Sequence, residues 1–123
     1  MQHRDKICIQ KIIKEIDIGR EMLGDISLDD FLKNEMLKRA VSMTVINVGE
    51  LVKTVTFELR DAHHEVPWKA IAGMRDITAH RYQTLRMEDV YETAVRDFPT
   101  IKNLLGKILE EDEDECHGTN KLE

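Results

Sequence analysis

The sequence predicts an all-α fold, an antiparallel bundle of four to five main helices. Apolar residues recur at the 3.6-residue period of a helix in several segments, and no segment shows the alternation that is typical of a strand. The connections between these segments are short, which favours helices that pack against their neighbours in the chain. At 123 residues, the chain has the length of one domain and can bury a core without disulfides or a structural metal.

Two amphipathic stripes predict the main helices of the N-terminal half. The first, which ends at Gly24, consists of Ile9, Ile12, Ile13, Ile16 and Leu23. Ser27 is placed to cap a short helix that ends near Lys33. The second long stripe consists of Leu37, Ala40, Val41, Thr44, Val48, Leu51, Val52 and Val55. Gly49 lies inside this second helix at a propensity cost of about 1 kcal/mol, so it indicates either close approach by another helix or simple tolerance.

Three further helices are predicted in the C-terminal half. Pro67 suits the first turn of a helix that ends near Tyr82. The next apolar stripe consists of Met87, Val90, Tyr91, Ala94, Val95 and Phe98. Pro99 then begins a last helix, whose inward residues are Ile101, Leu104, Leu105 and Ile108. We therefore expect the helical domain to comprise residues 1–109.

An unbroken acidic run follows this domain and accounts for the net charge of −6. Residues 110–115 are all acidic, and the rest of the chain contains equal numbers of acidic and basic residues. Because a run of like charge is usually solvated, we expect residues 110–123 to form a disordered tail. The balanced body argues against tight, nonspecific binding to duplex DNA, which needs a basic field.

The composition also indicates a compartment. The sequence contains neither an apolar run that could cross a membrane nor the hydrophobic segment of a signal peptide. The two cysteines, Cys8 and Cys116, are predicted to be unpaired thiols of a reducing cytoplasm. No His, Cys, Asp and Glu cluster has metal-ligand spacing. We therefore expect a cytoplasmic protein that uses neither a cofactor nor a metal.

Candidate chemistry concentrates on the helix that follows Pro67. Arg75 occupies a position where the helical period calls for an apolar residue, so it requires a partner or a function. Asp76 and His80 lie four residues apart and can hydrogen-bond, which would hold the imidazole in one tautomer. A permanently charged guanidinium close to a positioned imidazole suits a phosphate substrate.

The spacing of the two candidate catalytic residues adds a constraint. Arg75 and His80 are five residues apart, which separates them by about 140° around an α-helix. One straight helix cannot easily direct both side chains at one phosphate. Either the helix loosens before His80, or a second chain completes the site across a two-fold axis.

These residues resemble the signature of the HEPN superfamily and, within it, are most similar to the HepT-like toxins. The similarity covers roughly residues 5–109. The segments that carry it are Arg75-x4-His80-x-Tyr82, Pro67-Trp68, Ile71-Ala72-Gly73-Met74, Lys38-Arg39-Ala40-Val41, Ile46-Asn47-Val48-Gly49-Glu50, Val90-Tyr91 and Asp97-Phe98-Pro99. One departure is Gln83-Thr84-Leu85, where the family more often has an aromatic and a small residue; it concerns the shape of the cleft and its RNA preference.

The resemblance implies a homodimeric, metal-independent endoribonuclease whose motif lines a cleft shared by two chains. Arg75 would bind the phosphate and His80 would act as general base or acid, with Asp76 orienting the imidazole. The resemblance also implies a toxin that a minimal nucleotidyltransferase antitoxin of the MntA type silences by transferring AMP to Tyr82. RNA and this nucleotidyltransferase are therefore the expected partners.

Four more charged residues are candidates for contacts in the RNA cleft: Lys38, Arg39, Glu50 and Arg81. For Lys38, Arg39 and Glu50, the alternative is a side chain that is simply solvated. The alternative function is a catalytically idle helical subunit that binds a minimal nucleotidyltransferase. The sequence favours the enzyme because Arg75, His80 and Tyr82 are all present.

Overall fold

A computed structural model describes the backbone of residues 1–122 and the side chains of residues 1–114. In this part of the chain the secondary structure is entirely helical, which confirms the predicted all-α class. The elements are α1 (His3–Leu23), α2 (Leu28–Lys33), α3 (Glu35–Lys53), α4 (Phe57–Ala62), α5 (Trp68–His80), α6 (Met87–Glu92), a π-helical turn (Thr93–Asp97) and α7 (Phe98–Leu122).

α3 is the central helix of the bundle. It packs against α1 on one side and α5 on the other, and α7 packs against α1. The predicted stripes provide the core, whose fully buried aliphatic and aromatic residues include Ile9, Ile12, Ile16, Phe31, Val41, Val48, Val52, Val90, Phe98 and Leu105. The predicted cap of α2 is also confirmed, since the Ser27 hydroxyl accepts a hydrogen bond from the Asp30 amide at 3.1 Å.

Polar contacts fix the C-terminal end of α3. The buried Asp5 carboxylate accepts hydrogen bonds from the Thr56 amide at 3.0 Å and from its hydroxyl at 2.5 Å. The Arg60 guanidinium donates to the carbonyl oxygens of Val52 and Lys53, each at 2.9 Å. Because terminal helix carbonyls lack intrahelical partners, these two bonds satisfy groups that would otherwise need water.

Cys8 belongs to the same region. Its buried thiol lies 3.0 Å from the Leu51 carbonyl oxygen and is unpaired, as predicted. The side chain of Cys116 lies outside the described residues.

The predicted helix break at Pro99 is wrong. α6, the π-helical turn and α7 form one continuous helical segment, in which the Phe98 amide donates to the Thr93 carbonyl five residues earlier. A proline inside a regular helix removes a hydrogen bond and clashes with the carbonyl four residues before it. The wider π turn directly before Pro99 provides the local rearrangement that lets the helix continue.

The last helix also continues through the acidic run instead of ending at residue 109. α7 extends to Leu122, and the terminal amine of Met1 pairs with the Asp112 carboxylate at 3.4 Å. Glutamate is a good helix former, which helps the helix continue. The side chains of residues 115–123, in the predicted tail, lie outside the described residues. None of the described helices is both long enough and apolar enough to cross a membrane.

Candidate functional site

Arg75 lies between α5 and α3 with only about a fifth of its side chain exposed, at 21 %. Its Nε atom is 2.5 Å from Glu50 Oε1 on α3, and its Nη1 atom donates to Asp76 Oδ1 at 3.1 Å. The Nε–H itself is buried and is not directed at any acceptor in the described part of the chain. Two carboxylates therefore compensate the positive charge of Arg75. One of them, Glu50, brings α3 next to the motif that contains Arg75 and His80.

Gly49 makes this close approach possible. A Cβ atom added to Gly49 would overlap Arg75 Cβ, and it would lie 2.7 Å from Arg75 Cγ and 3.2 Å from the Ile71 carbonyl oxygen. Of the two interpretations of this glycine, the structure supports close approach by another helix. The backbone of α3 thus sets the depth at which Arg75 sits.

We expect Gly49→Ala to lower the free energy of unfolding by about 1–3 kcal/mol, because the two helices must move apart to admit the methyl group. Urea unfolding at fixed protein concentration measures this change. The matched control is Gly73→Ala on α5, where an added Cβ meets no atom within 4 Å. The control should be neutral or stabilising, since alanine is the better helix former. Equal effects of the two substitutions would contradict the packing argument.

Asp76 does not make the predicted contact with the imidazole of His80. Its Oδ1 atom accepts from Lys53 Nζ at 2.5 Å as well as from Arg75 Nη1, and no hydrogen bond to His80 occurs among the described residues. The pKa of Asp76 is lowered, first by the hydrogen bond from Lys53 and then by that from Arg75. An ionised carboxylate gains more from charge-assisted hydrogen bonds with a lysine and an arginine than from a single bond with an imidazole.

Lys53 is the site residue that the sequence reasoning missed. It lies three residues after Glu50, so the two side chains leave α3 on neighbouring faces. The three-residue spacing between Glu50 and Lys53 is the sequence signal that could have identified Lys53 as a site residue. Glu50, Lys53, Arg75 and Asp76 together form a cluster of two acids and two bases, which we call the four-charge cluster.

His80 is exposed and is the last residue of α5. The helix does not loosen before it, because the Arg81 amide still donates to the Ile77 carbonyl at 2.9 Å, the regular four-residue pattern. Arg75 and His80 therefore keep the angular separation of about 140° that a regular helix imposes. Two ways were predicted to bring Arg75 and His80 to one phosphate. The described structure does not show the first of them, a loosened helix.

Tyr82 follows α5 and contacts the other end of α3. Its ring is half-buried, and the guanidinium carbon of Arg39 lies 5.4 Å from the ring centroid, within the range of a cation–π contact. Arg39 and Lys38 both pair with Glu35, at 3.1 Å and 3.0 Å. The structure thus brings Arg39 to Tyr82, whereas Arg81 is exposed at the C-cap of α5.

The site residues therefore form two groups along α3. The four-charge cluster lies near its C-terminal end, and the Arg39–Tyr82 pair lies near its N-terminal end. The rise between Arg39 and Glu50 is about 16 Å along the helix axis.

Comparisons with known proteins identify the family of this chain. The family model described as "Ribonuclease HepT-like" matches residues 12–108. A provisionally assigned RNase of Caldanaerobacter subterraneus subsp. tengcongensis is 34 % identical over 104 residues, covering 85 % of this chain and 93 % of the relative. A similar RNase assignment in Methanocaldococcus jannaschii is 31 % identical over 112 residues, covering 90 % and 97 %.

A provisionally assigned ribonuclease HepT of Thermococcus cleftensis is 27 % identical over 108 residues, covering 88 % of this chain and 98 % of the relative. No solved structure matches the chain significantly. An all-α bundle with an arginine and a histidine on one helix is compatible with phosphodiester chemistry. The chain belongs to the HepT-like ribonuclease family, which confirms the resemblance seen in the sequence.

Proposed function

We propose that this ribonuclease is a toxin-type endoribonuclease that cleaves RNA without a metal ion. The observation that carries the proposal is the anchored guanidinium of Arg75, beside a helix end that exposes His80. In such a reaction the 2′-oxygen attacks phosphorus and the 5′-oxygen leaves, giving a 2′,3′-cyclic phosphate and a 5′-hydroxyl. His80 would take the 2′-hydroxyl proton or deliver one to the 5′-oxygen, and Arg75 would stabilise the charge on the phosphate.

The regular geometry of α5 supports a homodimer, because a second chain is the remaining way to bring an Arg75 and a His80 to one phosphate. The outward face of α3 also exposes large apolar side chains on both sides of Arg39, Met36 at 83 % and Met43 at 54 %. Ile77 on α5 is 47 % exposed beside Asp76. We propose that a second copy covers this surface, so that each phosphate meets Arg75 of one chain and His80 of its partner.

The proposal is tested by incubating the purified protein with single-stranded RNA, with and without EDTA. We expect cleavage at equal rates in both, because the proposed step uses only a guanidinium and an imidazole. Mass spectrometry of the products should show cyclic phosphate and 5′-hydroxyl ends. Cleavage that stops in EDTA and returns with magnesium would overturn the metal-free mechanism, and no cleavage under either condition would overturn the ribonuclease assignment of this copy.

Regulation is proposed to act on Tyr82. A minimal nucleotidyltransferase of the MntA type would transfer AMP to the phenol oxygen and release pyrophosphate from ATP. The new phosphodiester would then lie close to Arg39, the cation that contacts the ring. Its negative charge and bulk would compete with an RNA phosphate for this end of α3. We place the RNA, the antitoxin and the toxin in the cytoplasm.

One observation favours the alternative function, a catalytically idle subunit of the nucleotidyltransferase. Glu50 and Asp76 compensate Arg75 within the chain, as they would if the arginine had only a structural role. The two functions differ in the behaviour of a variant at His80, since this side chain is exposed and its replacement should affect catalysis more than folding.

A further inference from the structure

We infer that Lys53 is a second phosphate-binding cation of the ribonuclease site, and that Asp76 Oδ1 marks the position that a phosphate oxygen of RNA takes. The inference rests on the proposed function, because it assigns a further substrate contact to that site. It is carried by one juxtaposition: Lys53 Nζ and Arg75 Nη1, from two different helices, both donate to the same carboxylate oxygen.

The distances fit this role. Lys53 Nζ lies 2.5 Å and Arg75 Nη1 lies 3.1 Å from Asp76 Oδ1, so both nitrogens surround one oxygen atom. A non-bridging phosphate oxygen accepts charge-assisted hydrogen bonds from lysine and arginine with the same chemistry as a carboxylate oxygen. Two donors that already converge on one anionic oxygen can therefore bind a phosphate oxygen in its place.

Exposure separates a site that RNA can reach from a buried structural network. The side chains of Lys53 and Asp76 are 39 % and 49 % exposed, whereas that of Arg75 is 21 % exposed. Arg75 is thus the anchored cation, and Lys53 is the cation that solvent and substrate can approach. Exchange of the carboxylate for a phosphate needs no opening of the core.

The Lys53–Asp76 pair is also not needed to hold the helices together. Solvent-exposed ion pairs contribute about 0–1 kcal/mol as a rule. α3 and α5 are joined instead by the close contact at Gly49 and by buried apolar residues. The backbone of Lys53 is held in place by the hydrogen bond from Arg60 to its carbonyl oxygen. Its ammonium group is therefore presented from a fixed position while its acidic partner can be exchanged.

The charge balance of the cluster predicts whether each substitution strengthens or weakens RNA binding. The four-charge cluster is neutral, because the two carboxylates of Glu50 and Asp76 offset the two cations. When a phosphate displaces the Asp76 carboxylate, both cations face the substrate. Asp76 thus competes with RNA for Lys53 and Arg75. Removing the competing charge should strengthen RNA binding, and removing Lys53 should weaken it.

The experiment measures binding of a 2′-O-methyl RNA oligonucleotide, which cannot form the cyclic product, by fluorescence anisotropy at several salt concentrations. We expect Lys53→Met to weaken binding about tenfold, the size of one lost charge-assisted contact. The slope of log K against log salt should also fall by about one, as for loss of one phosphate contact. Lys53→Arg should retain binding, and Asp76→Asn should tighten it.

Lys107→Met is the matched control, since Lys107 is exposed on α7, away from the α3–α5 contact, and its loss removes the same charge. Lys53→Gln provides the same comparison if the methionine variant does not fold. If wild type cleaves RNA but Lys53→Met or Lys53→Gln binds with the affinity and salt slope of the control, the Lys53 inference fails while the proposed function stands. If wild type neither binds nor cleaves RNA, both fail.

Discussion

Replacing His80 or Arg75 by alanine is expected to reduce RNA cleavage by about 10²–10⁴-fold, the range for loss of a general acid–base group or of a preorganised charge at the reacting phosphate. His80 is exposed at the end of α5, so His80→Ala should leave stability unchanged. Initial rates with a fluorogenic RNA substrate measure the loss, and circular dichroism checks the fold. The control is His64→Ala, since the His64 side chain is 81 % exposed and lies outside the motif.

Mixing the two inactive variants tests where each site residue comes from. In a dimer whose sites pair Arg75 of one chain with His80 of the other, an Arg75→Ala/His80→Ala heterodimer has one intact site and one site that lacks both groups. Random exchange of equal amounts makes half of the dimers heterodimers. We therefore expect about a quarter of the wild-type activity to return, as dimer symmetry requires.

Two outcomes would contradict this arrangement. If light scattering shows a monomer that still cleaves RNA, or if the mixed dimers exchange subunits but recover no activity, the site is not shared in the proposed way. If His80→Ala cleaves RNA at the wild-type rate, the imidazole has no catalytic role. If neither the wild type nor either variant cleaves RNA above background, the idle-subunit function and a structural role for Arg75 are favoured.

Much of the fold follows from local sequence signals. The 3.6-residue stripes predict α1 and α3, Pro67 predicts the start of α5, and Ser27 caps α2 as expected. The break at Pro99 could not be predicted in the same way, because a proline can either begin a helix or be accommodated inside one by a widened turn. Ala94 and Phe98, on either side of the widened turn, are both buried, so the continuous helix keeps both of them in the core.

The sequence predicted the residues of the candidate site except Lys53, but it did not predict how they pair. The helical period shows that Arg75 needs a compensating charge, and the cost of Gly49 indicates close helix packing. The partners themselves, Glu50 and Lys53, lie on another helix, more than 20 residues away in sequence. Their choice depends on the rotation of α3 against α5, which local spacing does not encode. The contact expected between Asp76 and His80 does not form, since the Asp76 carboxylate pairs instead with Arg75 beside it and with Lys53 on α3, whose position local spacing does not encode.

Tyr82→Phe is expected to abolish modification by the cognate nucleotidyltransferase, so that the toxin stays active in the presence of its antitoxin. The substitution removes the acceptor oxygen but keeps the aromatic ring, so the contact with Arg39 and the packing of the loop should be retained. Incubation of each variant with the nucleotidyltransferase, ATP and magnesium, followed by peptide mass spectrometry, locates the AMP. A cleavage assay on the same samples measures inhibition.

Tyr91→Phe is the matched control for this experiment, because Tyr91 is the other tyrosine of the chain and its hydroxyl is hydrogen-bonded within the bundle. The Tyr91 hydroxyl donates to the Ile26 carbonyl oxygen at 2.7 Å, and its ring packs against Phe31. This variant should be modified and silenced like wild type. AMP found on another residue, with Tyr82 unmodified, would show that the acceptor is wrongly assigned. Full inhibition of Tyr82→Phe without AMP transfer would show instead that the antitoxin acts by stoichiometric binding, and Tyr82 would then be a structural partner of Arg39.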